Sequence, residues 1–176
     1  VSVVQRTFDR RIMIEANLHA RSNKVVRDHS LLHNALLNLC INASQAIPDG
    51  GILKLNTREV YMDEYYCLAS PFDLEPGQFI EVEIQDNGCG IAPEHLDLIF
   101  EPFFTTKDQG KGTGLGLSSV FGTIQRHRGA ISVYSEVGSG TSFQILFPVS
   151  EEAAKISADI SEIKRGTGCI LVVGDE

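Results

Sequence analysis

Apolar positions recur along the chain with two periods, and the switches between them mark out its elements. From Thr7 to Leu18, Phe8, Ile12 and Ile14 sit among arginines in a strand pattern. His29 to Ile47 carries helical spacing, with Asp28 or Ser30 as cap, and stops at Pro48-Asp49-Gly50-Gly51. Ile52 to Tyr61 alternates as a strand. Met62 to Gly77, punctuated by Pro71, Pro76 and Gly77, reads as a long hairpin connection. Gln78 to Gln85 alternates cleanly and ends at Asp86, and Pro93 suits the first turn of a short helix. Phe100 to Gly112 has no period and reads as a loop. Thr113 to His127 is helical, opened by glycines and closed by Arg126 to Gly129. Strands Ala130–Glu136 and Thr141–Phe147 pair across Val137-Gly138-Ser139-Gly140. This order predicts an α/β fold with antiparallel hairpins and at least two crossover helices.

Beyond residue 149 the pattern changes. Residues 150–168 are polar and acidic and read as a linker, with room for a short helix; Cys169 to Val173 is an isolated strand pattern near the end at Glu176. With 176 residues, 43% hydrophobic and 22% charged, the composition is that of a globular chain with a proper core. The net charge of −8 argues against a nucleic-acid partner, but a single nucleotide needs only a local site. Cys40, Cys67, Cys89 and Cys169 form no CxxC pair, so free thiols in a reducing cytoplasm are expected, Cys40 and Cys169 as small core residues. No apolar run approaches a membrane span of roughly 18 residues. A chain that begins at Val1 is expected to be a piece of a longer protein, whose parent could be membrane-anchored.

On the 29–47 helix, with Asn38 set at zero, Asn34 lies at about −40°, Asn42 at about +40° and Gln45 at about −20°. Four carboxamides therefore share one stripe between apolar flanks. Their oxygens could ligate a hard cation such as Mg²⁺ and their NH₂ groups could donate to phosphate. Equally, the stripe could be a polar boundary making structural hydrogen bonds.

The strand 78–85 delivers Asp86-Asn87-Gly88-Cys89-Gly90-Ile91. Two glycines beside an acid suit the close approach of a flat ring, with the carboxylate accepting from an exocyclic amine such as adenine's. The same residues would also make an ordinary Asp-Asn-Gly turn. Gly110-Lys111-Gly112-Thr113-Gly114-Leu115-Gly116-Leu117 opens a helix, where free N–H groups suit phosphate. It is no P-loop, since its Lys precedes the glycines, and no dinucleotide GxGxxG, since no strand precedes it. Between the two lies Phe100-Glu101-Pro102-Phe103-Phe104-Thr105-Thr106-Lys107, either a movable loop with Lys107 facing phosphate or a surface loop pinned by phenylalanines.

Together, in this order and spacing, these segments resemble the catalytic, ATP-binding domain of sensor histidine kinases, in the superfamily that includes gyrase and heat-shock chaperone ATPases. Asn38-Leu-Cys-Ile-Asn42-Ala43 resembles the asparagine box, and Asp86-Asn-Gly88-Cys-Gly90 the first glycine box. Phe100-Glu-Pro-Phe-Phe104 resembles the phenylalanine box, and Gly112-Thr-Gly114-Leu-Gly116-Leu117 the second glycine box. Gly138-Ser-Gly140-Thr141 resembles the terminal motif whose Thr helps hold adenine. The resemblance spans roughly residues 7–148. It implies a two-layer Bergerat sandwich, a mixed sheet of about five strands under three helices, with ATP beneath a flexible lid over 100–111. Asp86 would read the adenine amine, with Gly88, Gly90 and Ile91 beside the base and Thr141 near it. Asn42, with Asn38, would ligate Mg²⁺, and Gln45 would face the same nucleotide. Phe104, Thr105 and Thr106 would line the lid, Lys107 would meet the terminal phosphate, and the amides from Gly112 through Thr113, Gly114, Leu115 and Gly116 to Leu117 would cradle the phosphates.

Related ATPases carry a Glu base where this chain has Asn38. Asn cannot take a proton, so the γ-phosphoryl should be kept for a protein acceptor rather than water. The family phosphorylates a His on a separate dimerising domain, absent here. The five histidines, His19, His29, His33, His95 and His127, read as surface or helix residues. The fragment is therefore expected to be a monomer that does not phosphorylate itself. The tail from Ile170 to Glu176 resembles the first strand of a response-regulator receiver, with Gly174 where an Asp is usual. A hybrid kinase is the reading this favours, with domains at 1–149 and 169–176. A nucleotide-binding docking scaffold and a true ATPase are the competing readings.

Overall fold

A computed structural model describes residues 11–20, 29–47, 49–107 and 112–149; the linker and receiver-like tail lie outside them, as do residues 7–10 of the expected first strand, the cap candidate Asp28 and residues 108–111 of the expected lid. The strands are β1 (Ile12–Leu18), β2 (Gly51–Met62), β3 (Gly77–Asp86), β4 (Ala130–Glu136) and β5 (Gly140–Pro148). The helices are α1 (His29–Ala46), α2 (Glu64–Ala69), α3 (Pro93–Leu96) and α4 (Gly116–Arg126). One five-stranded sheet runs β1-β2-β3-β5-β4, with β1 parallel to β2 and the remaining pairs antiparallel. Helix α1 is the crossover from β1 to β2, and the α3–α4 region is the crossover from β3 to β4. The mixed α/β sandwich is as expected.

Alternation places Leu53, Ile84, Phe143 and Ile145 on one face of the sheet, where they meet Leu39 and Cys40 of α1 and Val120 and Ile124 of α4. Leu39, Val120, Ile124, Leu53 and Ile145 are wholly buried there. Burial pushes the Cys40 thiol up to about 11, so it behaves as a core residue. Helix α3 completes this side beside β4. The connection expected to be a plain hairpin loop instead contains α2, capped by Asp63 through the Tyr66 N–H at 2.8 Å. Its Cys67, with Leu74, closes over Phe79, Ala130 and Leu146 on the opposite face. Five apolar positions spread over three strands, a short helix and the loop after it leave no periodic signature, so sequence patterning does not find this second cluster.

The rest of that opposite face is polar. Asn17 donates to Asn56 at 3.1 Å, Asn56 donates to Glu83 at 2.8 Å, and Ser142 donates to Glu83 at 2.9 Å. This ladder crosses four strands, and the Asn56 bond above all holds the Glu83 carboxyl below its usual range. A face so satisfied is suited to water, which leaves the helical side as the place for a ligand. His127, read as a surface or helix residue, is the buried one at the end of α4, with Nδ1 2.7 Å from the Thr123 carbonyl and its ring edge-on to Phe147.

Leu39 ties α1 to the sheet, so Leu39→Ala should lower the unfolding free energy by about 2–5 kcal/mol in urea titration. A loss of under about 0.5 kcal/mol, the scale of a surface change, would contradict this packing.

Candidate functional site

Strand β3 ends by carrying Asp86 into the interior, where the residue is 5% exposed. Its Oδ1 accepts the Gly88 N–H at 2.8 Å, and the carboxylate also accepts the N–H of Thr141, its partner across β3–β5. The Asp-Asn-Gly turn and the buried acid are thus one device, because the turn's own hydrogen bond fixes the carboxylate. Burial pushes the carboxyl pKa up, and the two N–H bonds pull against that shift. Asn87 turns away and extends the ladder, its Oδ1 accepting the Ile52 N–H at 2.7 Å.

The glycines around Asp86 have a reason that sequence did not give. A Cβ on Gly88 would collide with the Ala46 carbonyl, and one on Gly90, at φ 72°, with the Glu136 carbonyl. They let this turn lie against the end of α1 and the β4–β5 hairpin, where Cys89 donates to Ala46 and Gly138 donates to Cys89, each at 2.9 Å. The space saved is taken by the protein's own backbone.

An open cavity of about 680 Å³ lies between α1, α3, α4 and the 104–107 loop. Asp86, Gly90, Ile91, Thr141 and Phe143 wall one end, with Cys89, Ala92, His95 and Ile99 beside them. The other end is lined by Asn42 and Gln45 of α1, by Phe104, Thr105, Thr106 and Lys107, and by Gly112, Thr113, Gly114, Gly116 and Leu117. Ala43 and Ala46 also line it from α1, positions that helical counting assigns to the apolar flank.

Three expected residues do not reach this wall. Asn38 is half-buried one turn before Asn42, about 6 Å back along the helix. Gly88 is taken up by the contact with Ala46, and Leu115 points outward at 44% exposure. Ser135 is not among the residues the sequence motifs mark, although its Oγ lies 2.9 Å from the Thr141 hydroxyl. A serine in an alternating strand carries no signal of its own.

Helix α4 begins at Gly116, three residues later than its periodicity suggests. Gly114 is left-handed at φ 66°, and its carbonyl accepts the Phe103 N–H at 2.9 Å, which holds the glycine run out of the helix. No side chain caps α4, so its first N–H groups stay available beside the cavity residues Gly116 and Leu117. The phenylalanine segment is pinned rather than loose: Phe100 packs at 5.3 Å from Phe121, and Phe104 at 5.6 Å from His95. Phe103 alone projects outward, with φ 70°.

Lys107 Nζ donates to Asn42 Oδ1 at 3.4 Å and to Gln45 Oε1. Two neutral amide oxygens thus converge on one positive charge, the donor set that a hard cation takes. Asn42 fits such an ion, and the second converging oxygen is that of Gln45 rather than Asn38. Partial burial without an anion lowers the Lys107 pKa. Among the described residues, no group of three His, Cys, Asp or Glu side chains could hold a metal.

The profile of the histidine kinase-, DNA gyrase B- and HSP90-like ATPase family matches residues 27–151. The chain belongs to this family. It is 38% identical over 162 residues to sensor kinase CckA of Brucella abortus, covering 86% of this chain and 17% of that protein. It is 33% identical over 148 residues to sensor histidine kinase ZraS of Escherichia coli, covering 84% of this chain and 28% of that protein. The chain thus spans under a third of either kinase. Among solved structures, the mycobacterial sensor histidine kinase MprB matches at 28% identity and TM-score 0.64, covering 84% of this chain and 87% of the other. The catalytic domain of histidine kinase ThkA matches at 26% and 0.63, covering 84% and 90%. Fold and sequence are those of the ATP-binding catalytic domain of sensor histidine kinases. Among the described residues, no helix is long and apolar enough to cross a membrane.

Asp86→Asn should weaken ATP binding about 10- to 100-fold by calorimetry, the scale of one charge-assisted hydrogen bond. Because the folded carboxyl titrates above its unfolded value, it takes up its proton first in the fold. Lowering pH through that window should therefore weaken ATP binding while this group's contribution to stability rises. An Asn variant that binds as tightly as wild type would remove Asp86 from the site.

Proposed function

We propose that the domain binds Mg·ATP in this cavity and donates the γ-phosphoryl to a His on a separate dimerising domain. The observation that carries the reading is the polarity of one cavity. A buried carboxylate with Thr141 stands at one end, and at the other are Lys107, two amides and an uncapped helix start. In this reading Asp86 accepts from the adenine amine, with Ile91 and Phe143 against the ring. The N–H groups at Gly116 and Leu117 hold the phosphate chain, and Lys107 leaves the amides for the terminal phosphate. Mg²⁺, held by Asn42 with a neighbouring amide oxygen, would neutralise the phosphate charge.

Asn38 stands where related ATPases carry a Glu and cannot accept a proton from water. The phosphoryl group therefore awaits a better nucleophile, such as an imidazole. The partners are ATP, the dimerisation domain and a response-regulator receiver, in a cytoplasmic setting; the tail 169–176 would begin a receiver in a hybrid parent.

The test mixes the domain with the dimerising helical domain of its own parent and γ-labelled ATP. The expected product is acid-labile phosphohistidine on that domain, with little free phosphate from the catalytic domain alone. Rapid phosphate release in isolation would make it an ATPase, and binding without any phosphohistidine would make it a scaffold.

A further inference from the structure

The Ser135 hydroxyl on β4 has three polar neighbours and one proton. The Ile91 N–H reaches it at 2.8 Å and can only donate; the Gly140 carbonyl lies at 3.0 Å and can only accept. The third neighbour is the Thr141 hydroxyl at 2.9 Å. A serine hydroxyl offers one donor and two acceptor lone pairs. With its proton committed to Gly140, the contact with Thr141 is a hydrogen bond only if Thr141 donates.

We infer that Ser135 is a positioning residue that sets base specificity by holding the Thr141 proton away from the cavity. Thr141 then presents lone pairs, as the neighbouring Asp86 carboxylate does, and this end of the cavity is a pair of acceptors. Such a pair matches the 6-amino group of a purine, which carries two N–H donors. It disfavours a 6-oxo group, whose oxygen finds no donor there. The contact with Ile91 also fixes the chain just after Gly90, so one hydroxyl joins the glycine turn, the β4–β5 hairpin and the adenine end.

This inference rests on the proposed ATP site, and its test separates the two. Calorimetry on the intact chain compares ATP, ITP and the purine ribonucleoside triphosphate that lacks a 6-substituent. Wild type should bind ATP most tightly, the unsubstituted purine nucleotide next and ITP most weakly. Ser135→Ala releases the Thr141 proton, so the ATP-to-ITP affinity ratio should fall roughly 2- to 12-fold, one hydrogen bond's worth. Ser135→Thr, which keeps the hydroxyl, should hold the ratio near wild type. Adding Thr141→Val to Ser135→Ala removes the released donor and should raise the ratio again. A merely structural Ser135 would weaken both nucleotides equally and leave the ratio unchanged, which would overturn the inference. ITP binding at least as tightly as the unsubstituted purine nucleotide in wild type would overturn it without any variant. No ATP binding by wild type would sink the proposed site itself.

Discussion

The Asp86 carboxylate sits inside the protein at the end of the central strand, and most of the site is arranged to make that tolerable. An acid so buried needs hydrogen-bond donors, and the backbone supplies them from two directions, the Gly88 turn and the neighbouring strand at Thr141. To bring both within reach, the chain must fold tightly back on itself. That demand fixes glycine at position 88, against Ala46, and at position 140, where a Cβ would strike the Asp86 carbonyl. Thus α1, β3 and β5 converge at one carboxylate, and the cavity is what remains beside it.

Much of this was legible in the residues. The strands at 78–85 and 130–136 and the helix over 29–47 follow from period alone, because each buries one face against a single core. The four boxes were legible because glycine, asparagine and phenylalanine at fixed offsets have few other uses together. What could not be read was long-range. Helix α2 covers a cluster built from three strands, and the late start of α4 depends on a carbonyl of Gly114 meeting Phe103. Helical counting put Asn38 and Asn42 on one stripe, yet only Asn42 and Gln45 meet the cavity, since an angle says nothing of how far along the helix the cavity extends.

At two of the segments with more than one reading, the structure shows the structural role. The Asp-Asn-Gly segment is a turn and also the anchor of the acid. The amide stripe makes a structural contact, with the oxygens of Asn42 and Gln45 meeting the Lys107 ammonium. Charge is local in the same way: the chain carries a net −8, yet the cavity beside Lys107 offers an ammonium, amides and free helix N–H groups. A local site of that kind does not need a positive protein.

The most direct measurement is a calorimetric titration of the domain, in Mg²⁺, with ATP and then with GTP. The adenine role proposed for Asp86 predicts that ATP binds and that GTP binds at least about tenfold more weakly, the value of one lost hydrogen bond with its unpaired partner. Equal affinity for the two nucleotides would contradict the role given to Asp86, and with it the account of why this corner of the fold is built as it is.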